Sequence, residues 1–134
     1  MNDINTSPQL GKTSLFGWNA QHQPVLKGVR CSACGAVAFP PQHYGCERCG
    51  ATGLLDIELA PNGVALGAAQ VHIHAQPYPK APFTVVEVRL DEGPVVRALL
   101  DTTGQTDLAG RRVRGVLREG RQAGVLDFQF EVAA

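Results

Sequence analysis

Cys31-Ser32-Ala33-Cys34-Gly35 and Cys46-Glu47-Arg48-Cys49-Gly50 are two copies of one short pattern, with eleven residues between Cys34 and Cys46. A two-residue gap lets both thiolates of a pair reach the same ion. Zinc accepts four sulfurs in a tetrahedron, so two such pairs complete one site. A glycine follows the second cysteine of each pair, where a positive-φ turn folds backbone amides over the sulfurs. The alternatives are a pair of disulfides or a redox dithiol. Disulfides need an oxidising compartment, and a redox dithiol accounts for one Cys-x-x-Cys but not two. The expected site is a structural zinc held by Cys31, Cys34, Cys46 and Cys49. These are all four cysteines of the chain, so no thiol is left over as a nucleophile.

The rest of the composition narrows the classes. A chain of 134 residues makes one modest domain or two small ones. Its hydrophobic share, 44%, is enough to form a core. Twelve basic residues balance twelve acidic ones. A balanced chain has no basic footprint for nucleic acid or anionic lipid. No apolar run approaches the length of a membrane helix. Met1-Asn2-Asp3-Ile4-Asn5 has neither the basic region nor the apolar stretch of a secretory signal, so the expected compartment is the cytoplasm.

Outward from the cysteines, the chain divides into three parts. Residues 1–27 are expected to be a polar arm followed by a short helical or irregular segment. Leu15, Phe16 and Trp18 there are interrupted by Gly17 and Pro24, with a short turn or helix expected around residues 15–21. Residues 28–60 are the ribbon. Val29 to Cys31 enters the first knuckle as a strand, and 36–39 leaves it. Pro40 and Pro41 end that strand because neither donates to a ladder. Leu55, Ile57 and Leu59 alternate with Asp56 and Glu58 in the strand that leads out.

Residues 61–134 read as five strands. In the first, Val64, Leu66 and Ala68 form one face. The phase then slips to Val71 and Ile73, which places a bulge near 68–70 with Gly67 easing the bend. Thr84, Val86, Val88 and Leu90 share one face of the second strand. Asp91-Glu92-Gly93-Pro94 is a hairpin turn into 95–100. A polar loop over 101–110, with one helical turn near Asp107, leads to a strand over 112–118. The last strand, 125–132, alternates Leu126, Phe128, Phe130 and Val132 with polar residues. A long bulged strand, a hairpin, a loop and two more strands fit a five-stranded Greek-key barrel, the OB-fold. A small sandwich is the other arrangement of this pattern.

Several of these segments match a known family. Arg30-Cys31-Ser32-Ala33-Cys34-Gly35, Phe39-Pro40-Pro41, Asn62-Gly63-Val64, Leu90-Asp91-Glu92-Gly93 and the stretch from Leu108 to Val113 together resemble proteins that join a rubredoxin-like zinc ribbon to an acyl-CoA-associated OB-fold. The resemblance covers residues 25–132. That family usually begins with clear helices, which this chain lacks before Pro24. The resemblance implies a non-catalytic accessory subunit of a thiolase-like enzyme: a thiolase, an aldolase or an acyl-CoA condensing enzyme. It implies a heterotetramer or similar assembly, with a coenzyme A thioester bound at the partner interface and no nucleic acid or membrane.

Two other functions compete with that one. A single-stranded nucleic-acid module needs a positive groove and stacking aromatics. The basic residues cluster only at Arg111, Arg112, Arg114, Arg118 and Arg121, as a solvated strand edge or as a dock for CoA phosphates or acidic partner residues. A free-standing enzyme needs a catalytic pair. His72 and His74 share one expected strand face, and His22 and His43 are scattered. The expected partner or CoA contacts are Phe16, Trp18, Phe39, Pro40, Tyr44, Arg111, Arg112 and Arg114.

Overall fold

The structure is a computed structural model that describes residues 9–102, 105–120 and 123–133. Ten strands and no helix are present among these residues. Residues 1–8 of the polar arm expected over 1–14, and Arg121, lie outside the described residues.

One sheet belongs to the ribbon. In it β3 (Pro24–Cys31) pairs antiparallel with β2 (Phe16–Trp18), with β4 (Val37–Ala38) and, over Leu26–Cys31, with β5 (Leu54–Leu59). Of the segment over 15–21 expected as a short turn or helix, Phe16–Trp18 is therefore strand. Phe16, Val25 and Leu26 are all buried there, and pairing with β3 decides the conformation, which local propensity does not.

The other sheet is the barrel. It contains β6 (Asn62–Val71), β7 (Phe83–Leu90), β8 (Val95–Leu99), β9 (Arg112–Glu119) and β10 (Val125–Val132). The first of these pairs with both β7 and β9, β7 with β8, and β9 with β10, each antiparallel. A parallel bridge between Leu100 and Phe130 brings β8 to β10 and nearly closes the ring. This is the strand circuit of an OB-fold. A short strand, β1 (Gln9–Leu10), adds to the edge of β10 in parallel.

Alternation decides most of the packing. Thr84, Val86, Val88 and Leu90 are all buried, as expected. Phe130 is fully buried in the last strand, with Phe128 and Val132 packed against the same core. Phe16, Leu26 and Leu59 of the ribbon join Val88, Leu108 and Phe130 of the barrel in one cluster. The ribbon is thus seated on the barrel through apolar contact.

Three details of the barrel differ from expectation. The inner face of β6 is Gly63 and Ala65, and Leu66 faces outward, 37% exposed. The reason is close approach: a Cβ on Gly63 would stand 2.1 Å from the Arg89 carbonyl oxygen. The bulge lies between Ala65 and Gly67, earlier than 68–70, and the strand ends at Val71. The loop over 105–110 has no helical turn. Leu108 plugs the barrel fully buried, and its carbonyl accepts the Arg111 amide at 2.8 Å.

Candidate metal centre

The end of β3 carries Cys31 into the first knuckle, and the second knuckle repeats its geometry. Gly35 N–H donates to the Cys31 carbonyl at 2.9 Å, and Gly50 N–H to the Cys46 carbonyl at 2.8 Å. Cys31 N–H donates to Ala36 and Cys46 N–H to Ala51, each at 2.8 Å. Gly35 and Gly50 both have φ of 80°, the left-handed conformation in which a glycine is unstrained. This is why the same residue follows both pairs.

These turns bring the four Sγ atoms within 4.8 Å of one another. Cys31 and Cys49 lie 3.6 Å apart, as do Cys34 and Cys46. Four sulfurs placed about 2.3 Å from a tetrahedral zinc stand about 3.8 Å from each other. The observed spacing fits that ion, and it is far longer than a sulfur–sulfur bond. Cys31 and Cys46 are buried, and Cys34 and Cys49 are exposed. The Arg48 amide donates to Cys46 Sγ at 3.3 Å. The amides of Cys49 and Arg48 hold the Cys46 thiol down at about 6. Those of Cys34 and Ala33 lower Cys31 in the same way. The Ala51 amide also acts to lower Cys49, but Cys31 beside it, burial and the other two thiols push it up to about 11. A zinc ion removes that conflict, because its charge stabilises all four thiolates together. With four sulfurs bound, the tetrahedron has no open position, so the centre is structural in kind.

The expected contact residues are not gathered in one place. Phe16 is buried in the core at 4% exposure, so it offers nothing to a partner. Trp18 is half-buried and stacks on His22, with ring centroids 4.4 Å apart. Phe39 is half-buried against the core, and Pro40 is exposed. Tyr44 is 93% exposed. Its loop is held from both sides. Gln42 Oε1 accepts the Tyr44 and Gly45 amides, Gln42 Nε2 donates to the Gly45 carbonyl, and His43 Nε2 meets Asp56 at 2.7 Å.

Arg111, Arg112 and Arg114 are exposed on or beside β9. Arg112 makes a two-pronged pair with Asp91, at 2.7 and 2.8 Å. Arg114 and Arg118 both bind Glu131. Asp91 and Glu131 are held below the usual carboxylate range, mainly by hydrogen bonds from Arg112 and Arg114 respectively. Arg111 has no carboxylate partner among the described residues. These carboxylates lie 13–21 residues from the arginines they bind, so only the β9–β10 and β6–β9 registers reveal the pairs. His72 and His74 lie beyond β6 and do not share a strand face. His74 stands edge-on to Phe83 at 5.1 Å.

Known proteins share both parts. Residues 18–54 match the family model of the ChsH2 rubredoxin-like zinc ribbon domain. A DUF35 domain-containing scaffold protein of Methanocaldococcus jannaschii is 29% identical over 102 residues, which are 74% of this chain and 72% of that one. A chain of the solved Ltp2-ChsH2(DUF35) aldolase superposes with a TM-score of 0.68 at 25% identity, over 82% of this chain and 86% of its own. The chain thus carries a ribbon that matches the ChsH2-type rubredoxin-like zinc ribbon over residues 18–54, and it resembles DUF35 proteins through both the ribbon and the barrel that follows it.

Proposed function

We propose that this chain is a non-catalytic accessory subunit of a thiolase-like enzyme, with a structural zinc in its ribbon and the chemistry on the partner. The observation that carries the reading is the fold shared along 82% of the chain with a component of a two-protein aldolase. The relative named a scaffold protein supports it. Closure of the four-sulfur centre supports it too, since a saturated ion activates no water. The division at residues 28–60 and 61–134 separates a ribbon that docks from a barrel that carries it, with β2 and the start of β3 adding to the ribbon's sheet. The cytoplasm is the compartment where its thiols stay reduced. Among the described residues, no helix is long and apolar enough to cross a membrane.

Tyr44 is the main anchor of the docking face, with Pro40 and the exposed part of Phe39 on the same loop; Trp18 lies apart, at the Pro24 end of β3. A tyrosine held out on a pre-ordered loop gives contact area at low entropic cost. A coenzyme A thioester would lie where this face meets the partner. In the arginine cluster, Arg111 has no carboxylate partner among the described residues and is placed to meet its phosphates; Arg112 and Arg114 can do so only by sharing their carboxylates. Co-expression of the tagged chain with a thiolase-like subunit from the same genome tests the assembly. A stable complex, a heterotetramer or similar, is expected on size exclusion. Separate elution of the two proteins at micromolar concentration would overturn the reading.

A further inference from the structure

The barrel is open on one side of the Leu100–Phe130 bridge. The bonds joining Leu90 to Pro94 and Leu100 to Thr84 fix the parity of the β7–β8 ladder. Even-numbered residues of β8 face β7, so the N–H and C=O of Arg97 face the opening. On β10, Val125 accepts from Gly120 and Ala133 donates to Arg112. Odd-numbered residues therefore face β9, and the even ones face the opening. The Leu126 carbonyl is taken by Gly11 N–H and that of Phe130 by Asp101 N–H. Phe128 lies between them, with no backbone partner across the opening among the described residues.

A cavity of about 360 Å³ fills this seam, a volume in the range of small-molecule sites. Val96, Ala98 and Phe128 line it from the barrel, and Leu15, Leu26 and Phe39 from the ribbon side. Its polar side chains are Lys12, Tyr78 and Asp127; the Arg97 guanidinium is turned away to Glu87, 2.9 Å off. Asp127 has a built place. A Cβ on Gly11 would stand 2.0 Å from one of its oxygens, and a Cβ on Gly120 2.4 Å from the other. Burial, and then the charge of Asp127, push the Tyr78 phenol up, so it keeps its proton. Lys12 has no carboxylate partner among the described residues.

The seam thus combines an apolar slot with one cation, one anion and open backbone groups of both kinds. A carboxylate head would pair with Lys12 but also face the Asp127 carboxylate, and an ammonium head would pair with Asp127 but also face the Lys12 ammonium. An amide offers an oxygen to the cation and an N–H to the anion, and it carries no charge into a half-buried site. We infer that the seam between β8 and β10 binds an aliphatic chain with an uncharged amide head. This site is independent of the accessory-subunit reading and of the zinc centre.

Calorimetry of the zinc-loaded full chain with octanamide tests the site, with octanoate and octylamine as the charged arms. The account expects saturable one-to-one binding of octanamide, with shifts of the Val96 and Leu99 methyl resonances. Ala98→Phe, which fills the slot, should weaken binding about tenfold or more. Lys12 is exposed, so Lys12→Glu leaves the fold intact and should shift preference toward octylamine. No saturable binding at millimolar octanamide would overturn the inference. So would unchanged binding by a folded Ala98→Phe variant, octanoate or octylamine binding the native protein as tightly as octanamide, or a Lys12→Glu variant with unaltered preference.

Discussion

Gly35 and Gly50 are each required by a single torsion, and each aims amides at a sulfur. Two residues per turn therefore set the whole centre, and this part of the site was legible in the sequence. Single changes at the cysteines should have large effects. Cys31→Ser and Cys49→Ser should each lower bound zinc from one ion per chain toward none and unfold the ribbon, since metal binding and folding are coupled here. Metal analysis with circular dichroism checks this; full zinc content in either variant would contradict the assignment.

The arginine cluster was only half legible, because composition shows the cations and not the carboxylates that meet them. Glu131 illustrates the consequence. Its folded value is lowered, so its contribution to stability is present above the unfolded carboxylate range and is lost as pH falls through the folded value. Glu131→Gln should cost about 1 kcal/mol or less at neutral pH, since the two arginines are half exposed. The difference from the native protein should begin to shrink at about pH 4, where an ordinary glutamate is protonated, and should vanish only below the lowered folded value. Urea melts across that range measure it.

At the level of strands, legibility followed side-chain size. Four consecutive inward positions of β7 are large or branched, so the phase was plain. In β6 the inward positions are Gly63 and Ala65, and the bulky Val64 and Leu66 pointed the reading at the wrong face. Small residues sit inside because the β7 backbone passes within van der Waals range of Gly63, and no periodicity reveals that. The short strands β1 and β2 were missed because their conformation comes from partners far along the chain, β10 and β3. The last strand was read correctly, and Phe130 is its centre. Phe130→Ala should cost about 3–5 kcal/mol, as truncation of a buried phenylalanine in a close-packed core does. A denaturant midpoint shift with unchanged slope checks it.

At the scale of the molecule, a neutral chain folded as ribbon plus barrel separates two functional classes. The exposed arginines are mostly spent on carboxylates, which leaves little counterion release to drive nucleic-acid binding. Labelled single-stranded oligonucleotides at physiological salt should therefore bind only weakly, and sub-micromolar affinity with a steep salt slope would contradict the account. Association with a thiolase-like subunit should instead depend on the ribbon face. Tyr44→Ala should weaken it by about 2 kcal/mol if Tyr44 is the anchor, and leave the melting of the free chain unchanged. Phe16→Ala should act the other way, destabilising the free chain through its core. The most direct test of the central claim is the acyl-CoA turnover of the thiolase-like subunit, followed as CoA release with each protein alone and with both together. The account predicts no turnover by this chain, little by the partner alone and full activity for the complex. A partner that is fully active and monodisperse without this chain would contradict it.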